Sequence, residues 1–382
     1  MDKDIQIIAV VDKAQEQQFI DLPYQLYKGE PHWRAPLRFE RKAQINPAKN
    51  PGLEGLEFQF FLALKNGMPS GRIAAIKNPE HLRVHKDNTG HFGFLDTDGD
   101  PAVAEALLGA SEEWLKARGL SHIAGPFSFS INEETGLPIT GFDTPPMLMM
   151  PYNRETMPGT LDALGFEKAK DMHAYITNIP GSYPHPQIVR SLADFVDASP
   201  DITLRRMRKG NFLADIEMAM EIFNDAWAEN WGFLPFSDAQ IKHMATELKP
   251  VIIPDLFWIC EVDGKPAAFI IMIPNINEAI EGLDGRLLPF GWAKMLWRLK
   301  VKGLKTARIP LMGVRKEYQR TKPGLAMAAA LCATAFDHGR ERGIEEVEMS
   351  WILEDNKSMI RIIKMASGEP YKTYRVYKKA IA

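Results

Sequence analysis

The sequence predicts an α+β (α/β) protein of two tandem domains, and three observations carry that reading. At 382 residues the chain exceeds one ordinary hydrophobic core and suits two domains of about 200 residues or fewer each. Short runs with strand character alternate with helical runs along its whole length. Landmarks of the first half also recur in order in the second: Asn66-Gly-Met-Pro69 with Asp263-Gly-Lys-Pro266, Ala117-Arg-Gly-Leu120 with Glu341-Arg-Gly-Ile344, and Ala174-Tyr-Ile176 with Val376-Tyr-Lys378. Each landmark alone arises by chance in an α/β protein; their shared order indicates a duplicated unit.

In the first copy, residues 56–65 and 70–77 are predicted strands joined at Asn66-Gly67, a pair that supplies the positive φ angles of a tight hairpin turn. A short strand follows at 91–95. Asp100-Pro101 opens a helix, the Asp capping free amides and the Pro occupying the first helical position, and Gly119 stops it. Val103, Leu107, Ala110, Trp114 and Leu115 fall on one face of that helix. A strand is expected at 122–131, a helix at 154–164 and a last strand at 166–176. The second copy is expected to follow with helices at 214–230 and 237–248, and strands at 255–262 and 266–273 hinged on Asp263-Gly264. A strand at 309–314, a helix ending at Arg342-Gly343, a strand at 347–353, a helix at 356–365 and a strand at 371–377 complete it. The Pro-dense stretch 179–186 is the expected linker, which sets the domains at residues 1–180 and 187–382.

Composition narrows the function. With 45% hydrophobic and 25% charged residues the chain has enough apolar surface to fold. A net charge of −3 gives no global attraction to polyanions, so nucleic acid is not an expected partner. No window reaches the roughly 18 apolar residues of a spanning helix, and Met1-Asp-Lys-Asp-Ile-Gln6 lacks the order of a signal peptide, so a cytoplasmic location is expected. Cys260 and Cys332, each inside an apolar run, are expected to be buried thiols, and the nine histidines show no ligand spacing, so no metal is expected. The loop Asp96-Thr-Asp98-Gly-Asp100 mimics a calcium loop but lacks its bidentate Glu, Leu107 standing there instead.

The segment 309–326 places a strand ahead of a turn that ends in Gly324 at the start of an Ala-rich helix. Such a junction aims amide N–H groups and the positive helix end at one point, and Arg320 and Lys322 add charge. An ordinary helix start with surface cations is the plainer alternative. Here the chain resembles the GNAT superfamily of N-acyltransferases, whose signature is Gln or Arg, two residues, Gly, one residue, then Gly or Ala. Gly324-Leu-Ala326 fits, Thr321 stands three before the Gly, and Arg320 comes one place early. Asn356, after Glu354-Asp355, resembles the family's second motif, while Ile363 replaces its usual Tyr; Tyr371 and Tyr374 are candidate substitutes.

The resemblance implies two GNAT-like domains, each a mixed central sheet flanked by helices. It further implies an acyl-CoA co-substrate, acetyl or long-chain, held by Met312, Gly313, Val314, Arg320, Thr321, Lys322, Gly324, Leu325, Ala326 and Asn356. The matching loop of the first copy, 95–101, carries three carboxylates and no cation, so that copy is expected to have lost the cofactor and to serve the acceptor side. His91 and Asp96 share the spacing of glycerolipid acyltransferases, a pairing that this composition produces by chance.

Polar residues bunch at 127–153, an insertion relative to the second copy. Acylating an amine needs a base for the ammonium proton, donors for the oxyanion and an acid for the thiolate. Glu133 or Glu134 can be that base and Tyr152 the acid; the same groups would equally serve to tie down the loop. The wording Ser130-Ile-Asn-Glu-Glu134 and Met149-Met-Pro-Tyr-Asn153 resembles a family of long GNAT-like bacterial proteins. Residues 287–302 form a basic helix in which Trp292, Met295, Leu296 and Leu299 share one face and Lys294, Arg298 and Lys302 another. It suits core packing with solvated lysines, or a membrane surface at which the protein binds peripherally. With the latter, the chain is also similar to the bacterial ceramide-synthase-like acyltransferases, which implies a long-chain donor and a lipid amine such as a sphingoid base; otherwise a small-molecule amine is expected. The alternative is a catalytically silent acyl-CoA-binding or interaction protein of the same fold.

Overall fold

The computed structural model describes residues 4–179, 186–367 and 369–381, which form two compact units. The first takes in the described residues up to Met172, Ile280–Gly291 and the chain from Lys372 onward; the second takes in His173–Ala279 and Trp292–Tyr371. Compared with the division expected at 1–180 and 187–382, two segments from the second half thus go with the first unit. Of the expected linker, Pro180 to His185 lie outside the described residues, as do Met1 to Lys3.

The first unit contains β1 (Ile5–Ala9), α1 (Lys13–Leu26), α2 (Arg38–Gln44), β2 (Glu57–Lys65), β3 (Met68–Lys77), α3 (Pro79–His85), β4 (Thr89–Thr97), α4 (Pro101–Lys116), β5 (His122–Gly125), β6 (Leu137–Thr140) and α5 (Met157–Ala163). Strand β7 (Glu167–Asn178) leads into the second unit, which contains α6 (Gln187–Asp197), β8 (Ile202–Arg206), α7 (Phe212–Trp227), α8 (Asp238–Leu248), β9 (Phe257–Val262) and β10 (Lys265–Pro274). Then come α9 (Ile276–Ile280), α10 (Gly291–Trp297), a π-helical turn over Arg298–Lys302, β11 (Thr306–Val314), α11 (Lys322–Glu341), β12 (Glu346–Leu353) and α12 (Lys357–Ser367), with β13 (Lys372–Ala380) last.

One pairing scheme occurs twice. In the first unit β1, β2, β3 and β4 are successively antiparallel and β4 meets β5 in parallel. In the second, β8, β9, β10 and β11 are successively antiparallel and β11 meets β12 in parallel. Each is a mixed sheet flanked by helices. The last strand departs from the scheme: β13 follows α12 of the second copy, yet it pairs antiparallel with β5 and with β6 in the first unit.

Strand alternation explains the packing. On β2 and β3, Phe60, Leu62, Ala74 and Ile76 join Phe19, Ile20 and Leu22 of α1 in one core. Their neighbours Phe61, Ala63, Ile73 and Ala75 point the other way and join Val103, Leu107 and Leu108 of α4, with Tyr377 of β13, in another. In the second unit Ala268, Ile270 and Met272 of β10 pack on Ala326, Met327 and Leu331 of α11, and Ile363 completes that core. The hairpin turns form as expected, with Asn66 and Gly67 at φ 51° and 78° and Asp263 and Gly264 at φ 50° and 72°. The Asp100 side chain accepts from the Ala102 amide at the start of α4.

Two local expectations change. The strand expected at 122–131 stops at Gly125, because residues 126–136 turn back on themselves through a bridge between Phe127 and Thr135. Gly93 permits this: a β-carbon there would sit 1.7 Å from the Phe127 carbonyl oxygen. In the basic segment, Trp292 and Leu296 are exposed, while Met295, Arg298 and Leu299 are half-buried. Among the described residues no helix is long and apolar enough to cross a membrane.

Candidate active site

In the second unit the parallel rungs of β11 and β12 run from Thr306↔Glu346 to Ile309↔Met349 and end there, although β11 continues to Val314 and β12 to Leu353. The two strands therefore part, and the edge of β11 over 310–314 is released from the ladder on that side. Met312, Gly313 and Val314 lie on it, still paired on their other side with Ile270, Phe269 and Ala268. A β-carbon on Gly313 would stand 2.9 Å from the Phe269 ring. The Trp227 indole N–H of α7 donates to the Met312 carbonyl at 3.0 Å, and its ring meets Trp351 of β12 edge-on at 5.9 Å. Trp227 thus touches both diverging strands.

Just below the point of separation, the directly paired Arg308 and Glu348 are both buried, 3.4 Å apart. Glu348 also accepts from the hydroxyls of Ser350 and Tyr371, and Arg308 donates to Ser350 Oγ at 2.8 Å. A buried charge pair is tolerated only with its remaining bonding capacity filled, and these hydroxyls fill it. Nothing in the local sequence pattern singled out this group beyond Tyr371. Tyr374, the other candidate substitute, is fully buried.

The turn ahead of α11 differs from the expectation in its donors. The Gly324 amide donates to Thr321 Oγ1 at 3.1 Å, the Thr321 amide to the Tyr318 carbonyl at 3.2 Å, and the Leu325 amide to the Thr321 carbonyl. Pro323 has no N–H. Thr321 is therefore the helix cap, and the turn offers fewer open amides than a bare helix start. Arg320 adopts φ 60° in this turn. Arg320, Thr321, Lys322 and Leu325 are exposed, Gly324 and Ala326 buried, and the Lys322 ammonium lies 4.6 Å from the Phe195 ring centroid. Asn356 precedes α12 and accepts from the Met359 amide, a capping contact. Ile363 is a core residue.

In the first unit Glu133 and Glu134 do come together, through partners that sequence reasoning missed. Arg41 of α2 pairs with Glu134 and donates to Gln44 Oε1 at 2.8 Å, and Gln44 donates to Glu133 Oε2 at 2.7 Å. Burial pushes the Glu133 carboxyl up to about 7, with the neighbouring Glu134 adding to the shift and the Gln44 and Arg41 contacts opposing it. Glu134, locked to a guanidinium, is the poorer base of the two. Tyr152 is elsewhere: its ring meets Tyr27 edge-on at 5.1 Å, and burial beside Glu30 raises its hydroxyl.

The carboxylates of the first-copy loop are not bare. Lys65 of β2 pairs with Asp98 and with Asp100 at 3.2 Å, and Arg72 of β3 holds Asp96 at 2.8 Å. The expected absence of a cation was true of the loop and untrue of its surroundings. Asp96 also accepts from Tyr27 at 2.6 Å, whereas the His91 ring meets that of His81 edge-on at 4.4 Å, so the two do not act as a pair. Among the described residues no group of three or more His, Cys, Asp or Glu could hold a metal ion. Burial pushes both Cys260 and Cys332 thiols up to about 12.

A twice-repeated mixed sheet, with the parallel pair of the second unit parting beside α11, defines the GNAT fold in tandem form. The described residues overlay a tandem GNAT protein from the clavulanic acid biosynthesis pathway with a TM-score of 0.57 and 12% identity, covering 99% of both chains. A GCN5-related N-acetyltransferase from Sphaerobacter thermophilus matches with a TM-score of 0.53 and 12% identity over 99% of this chain and 96% of that one. No family model matches. Protein YghO of Escherichia coli (strain K12) is 43% identical over 371 residues, 97% of this chain and 94% of that protein. The bacterial ceramide synthase of Caulobacter vibrioides (strain NA1000 / CB15N) is 41% identical over 384 residues, 99% and 98% of the two. The chain belongs to the family of these two proteins.

Proposed function

We propose that the chain transfers an acyl group from acyl-CoA to an amine, with a long-chain donor and a sphingoid base as its substrates. The observation that carries this reading is the parting of β11 from β12 beyond Ile309 and Met349, beside the start of α11. An extended thioester can lie along the released edge of β11, its anionic end toward the exposed Arg320 and Lys322 and the amino end of a 20-residue helix. In the transfer the amine nitrogen bonds to the acyl carbon, the carbon–sulfur bond breaks, and the one proton that the amine gives up to a base is returned to the departing thiolate, which leaves as free thiol. Glu133 is our candidate for the base, because its carboxyl titrates near neutrality.

The choice of substrates draws on the 41% identical relative named a bacterial ceramide synthase, ceramide being an N-acylated sphingoid base. A cytoplasmic location is proposed with it, where acyl-CoA and unpaired thiols such as Cys260 and Cys332 belong. The rival, an acyl-CoA binder without turnover, is favoured by the buried Ile363 where the family has Tyr and by the Thr321 cap on Gly324. Release of free CoA thiol, measured with acetyl, medium-chain and long-chain acyl-CoA against small amines and sphingoid bases, separates them. We expect release with the long-chain donor and the sphingoid base, and an N-acyl product by mass spectrometry. Binding of acyl-CoA without turnover of any amine would establish the rival, and absence of binding would overturn both.

A further inference from the structure

Six of the fourteen exposed large apolar side chains among the described residues fall within one short stretch: Leu288 (80% exposed), Phe290 (78%), Trp292 (49%), Leu296 (43%), Trp297 (54%) and Val301 (72%). A soluble surface scatters such residues singly; a cluster marks a site of contact. The charge is equally one-sided. Between Arg286 and Arg308 there is no Asp or Glu, in a chain whose net charge is −3. Lys294, Lys300 and Lys302 are exposed, and among the described residues none of the three is seen in an ion pair.

From these observations we propose that residues 292–302 are a docking surface for a bilayer bearing anionic lipids. Trp292 and Leu296 stand one helical turn apart on α10, Trp297 ends that helix and Val301 follows on the π-helical turn, so apolar groups are presented over the whole length of the segment. Tryptophan suits the headgroup boundary, because its ring is apolar and its N–H polar. Lysines among the apolar groups reach lipid phosphates from the same segment. A protein partner would need matching carboxylates as well as an apolar face, whereas an anionic bilayer supplies both features at once. The helix is too short to span and has the composition of one that lies in the interface.

The proposal extends the transfer reading, placing the enzyme where lipid substrates reside, and does not depend on it. Its test is flotation of the full chain, without substrates, on vesicles of phosphatidylcholine alone and of phosphatidylcholine with phosphatidylglycerol. We expect the chain to float with the anionic vesicles. The double variant W292A/W297A should lower that partition by about tenfold at an unchanged unfolding midpoint. The triple variant K294E/K300E/K302E should lower it on the order of a hundredfold, and added salt should reproduce part of that loss. Equal flotation of wild type and variants, or none with either vesicle, would overturn the proposal. So would a wild-type dimer that W292A/W297A converts to monomer without altering flotation, since the face would then bind a second copy of the chain. Vesicle binding involves no acyl transfer, so its failure leaves the proposed reaction standing, and the reverse holds.

Discussion

Half-buried Glu133 and buried His91 are groups whose protonation moves in opposite directions, and a pH series can tell them apart. The Glu133 carboxyl sits up near 7 in the folded chain against an ordinary value of 4.5. The folded state therefore holds the proton more tightly than the unfolded chain, so this group's contribution to stability falls as pH rises from about 4.5 to about 7. His91 is held well below its ordinary 6.5, first by burial and then by His81 and His85, and its Nδ1 has no hydrogen-bond partner among the described residues. Here the unfolded chain binds the proton more readily, so stability is lost as pH falls below about 6.5. We expect Glu133→Gln to remove the first trend and leave the second, as read from unfolding midpoints across this range. If Glu133 is the base, turnover in the wild type rises through pH 7 as stability falls, and Glu133→Gln lowers kcat by at least a hundredfold with little effect on acyl-CoA binding. A variant with wild-type kcat would remove Glu133 from the mechanism.

Among the elements, the turn ahead of α11 is the most constrained. A β-carbon on Gly324 would lie 2.0 Å from the Tyr318 carbonyl oxygen, and a backbone atom cannot swing aside as a side chain can. Gly324→Ala must open the turn and displace Arg320, Thr321 and Lys322 together, so we expect acyl-CoA affinity to fall at least tenfold with the circular dichroism spectrum retained. Isothermal titration checks it; unchanged affinity would mean that the turn holds no part of the donor. This junction was legible in the sequence because Thr, Pro and Gly in that order have local conformational meaning, as Asn66-Gly67, Asp263-Gly264 and Asp100-Pro101 do at their turns and cap. The partners that complete the candidate site were not. Arg41 and Gln44 reach Glu134 and Glu133 from α2, about ninety residues away, and Trp227 reaches Met312 from α7 at a separation of 85. Such contacts are set by the packing of helices on sheets, and no periodicity or spacing within one segment encodes them. The basic segment shows the same limit: its pattern fitted either burial or exposure, and only the surrounding fold decides that Trp292 is left outside.

For the molecule as a whole, the order of elements along the chain is duplicated while the compact units are not simply its two halves. The first unit completes its sheet with β13, which places Tyr377 and Ile381 in its core and joins Arg375 to Asp171 through bonds of 2.7 and 2.9 Å. The second unit's core in turn includes Tyr175, which precedes the expected linker, and Ile179, the linker's first residue. Residues 1–186 expressed alone would therefore leave the edge of β5 unpaired and lose two buried side chains worth about 2 kcal/mol each, a large part of a domain's margin. Residues 187–382 expressed alone would carry β13 without its partner and lack Tyr175. We expect neither fragment to unfold cooperatively by itself, and co-expression of both to yield a soluble complex, measured by thermal unfolding and size-exclusion chromatography. A cooperative transition in the isolated 1–186 fragment would show that β13 is dispensable to the first unit. The same reasoning makes deletion of the residues after Tyr371 a severe change although it removes only a terminal strand. Because each unit borrows from the other half of the sequence, a substitution near the C-terminus, such as Tyr377→Ala, should lower the stability of the unit that holds Glu133 and leave the Gly324 turn intact.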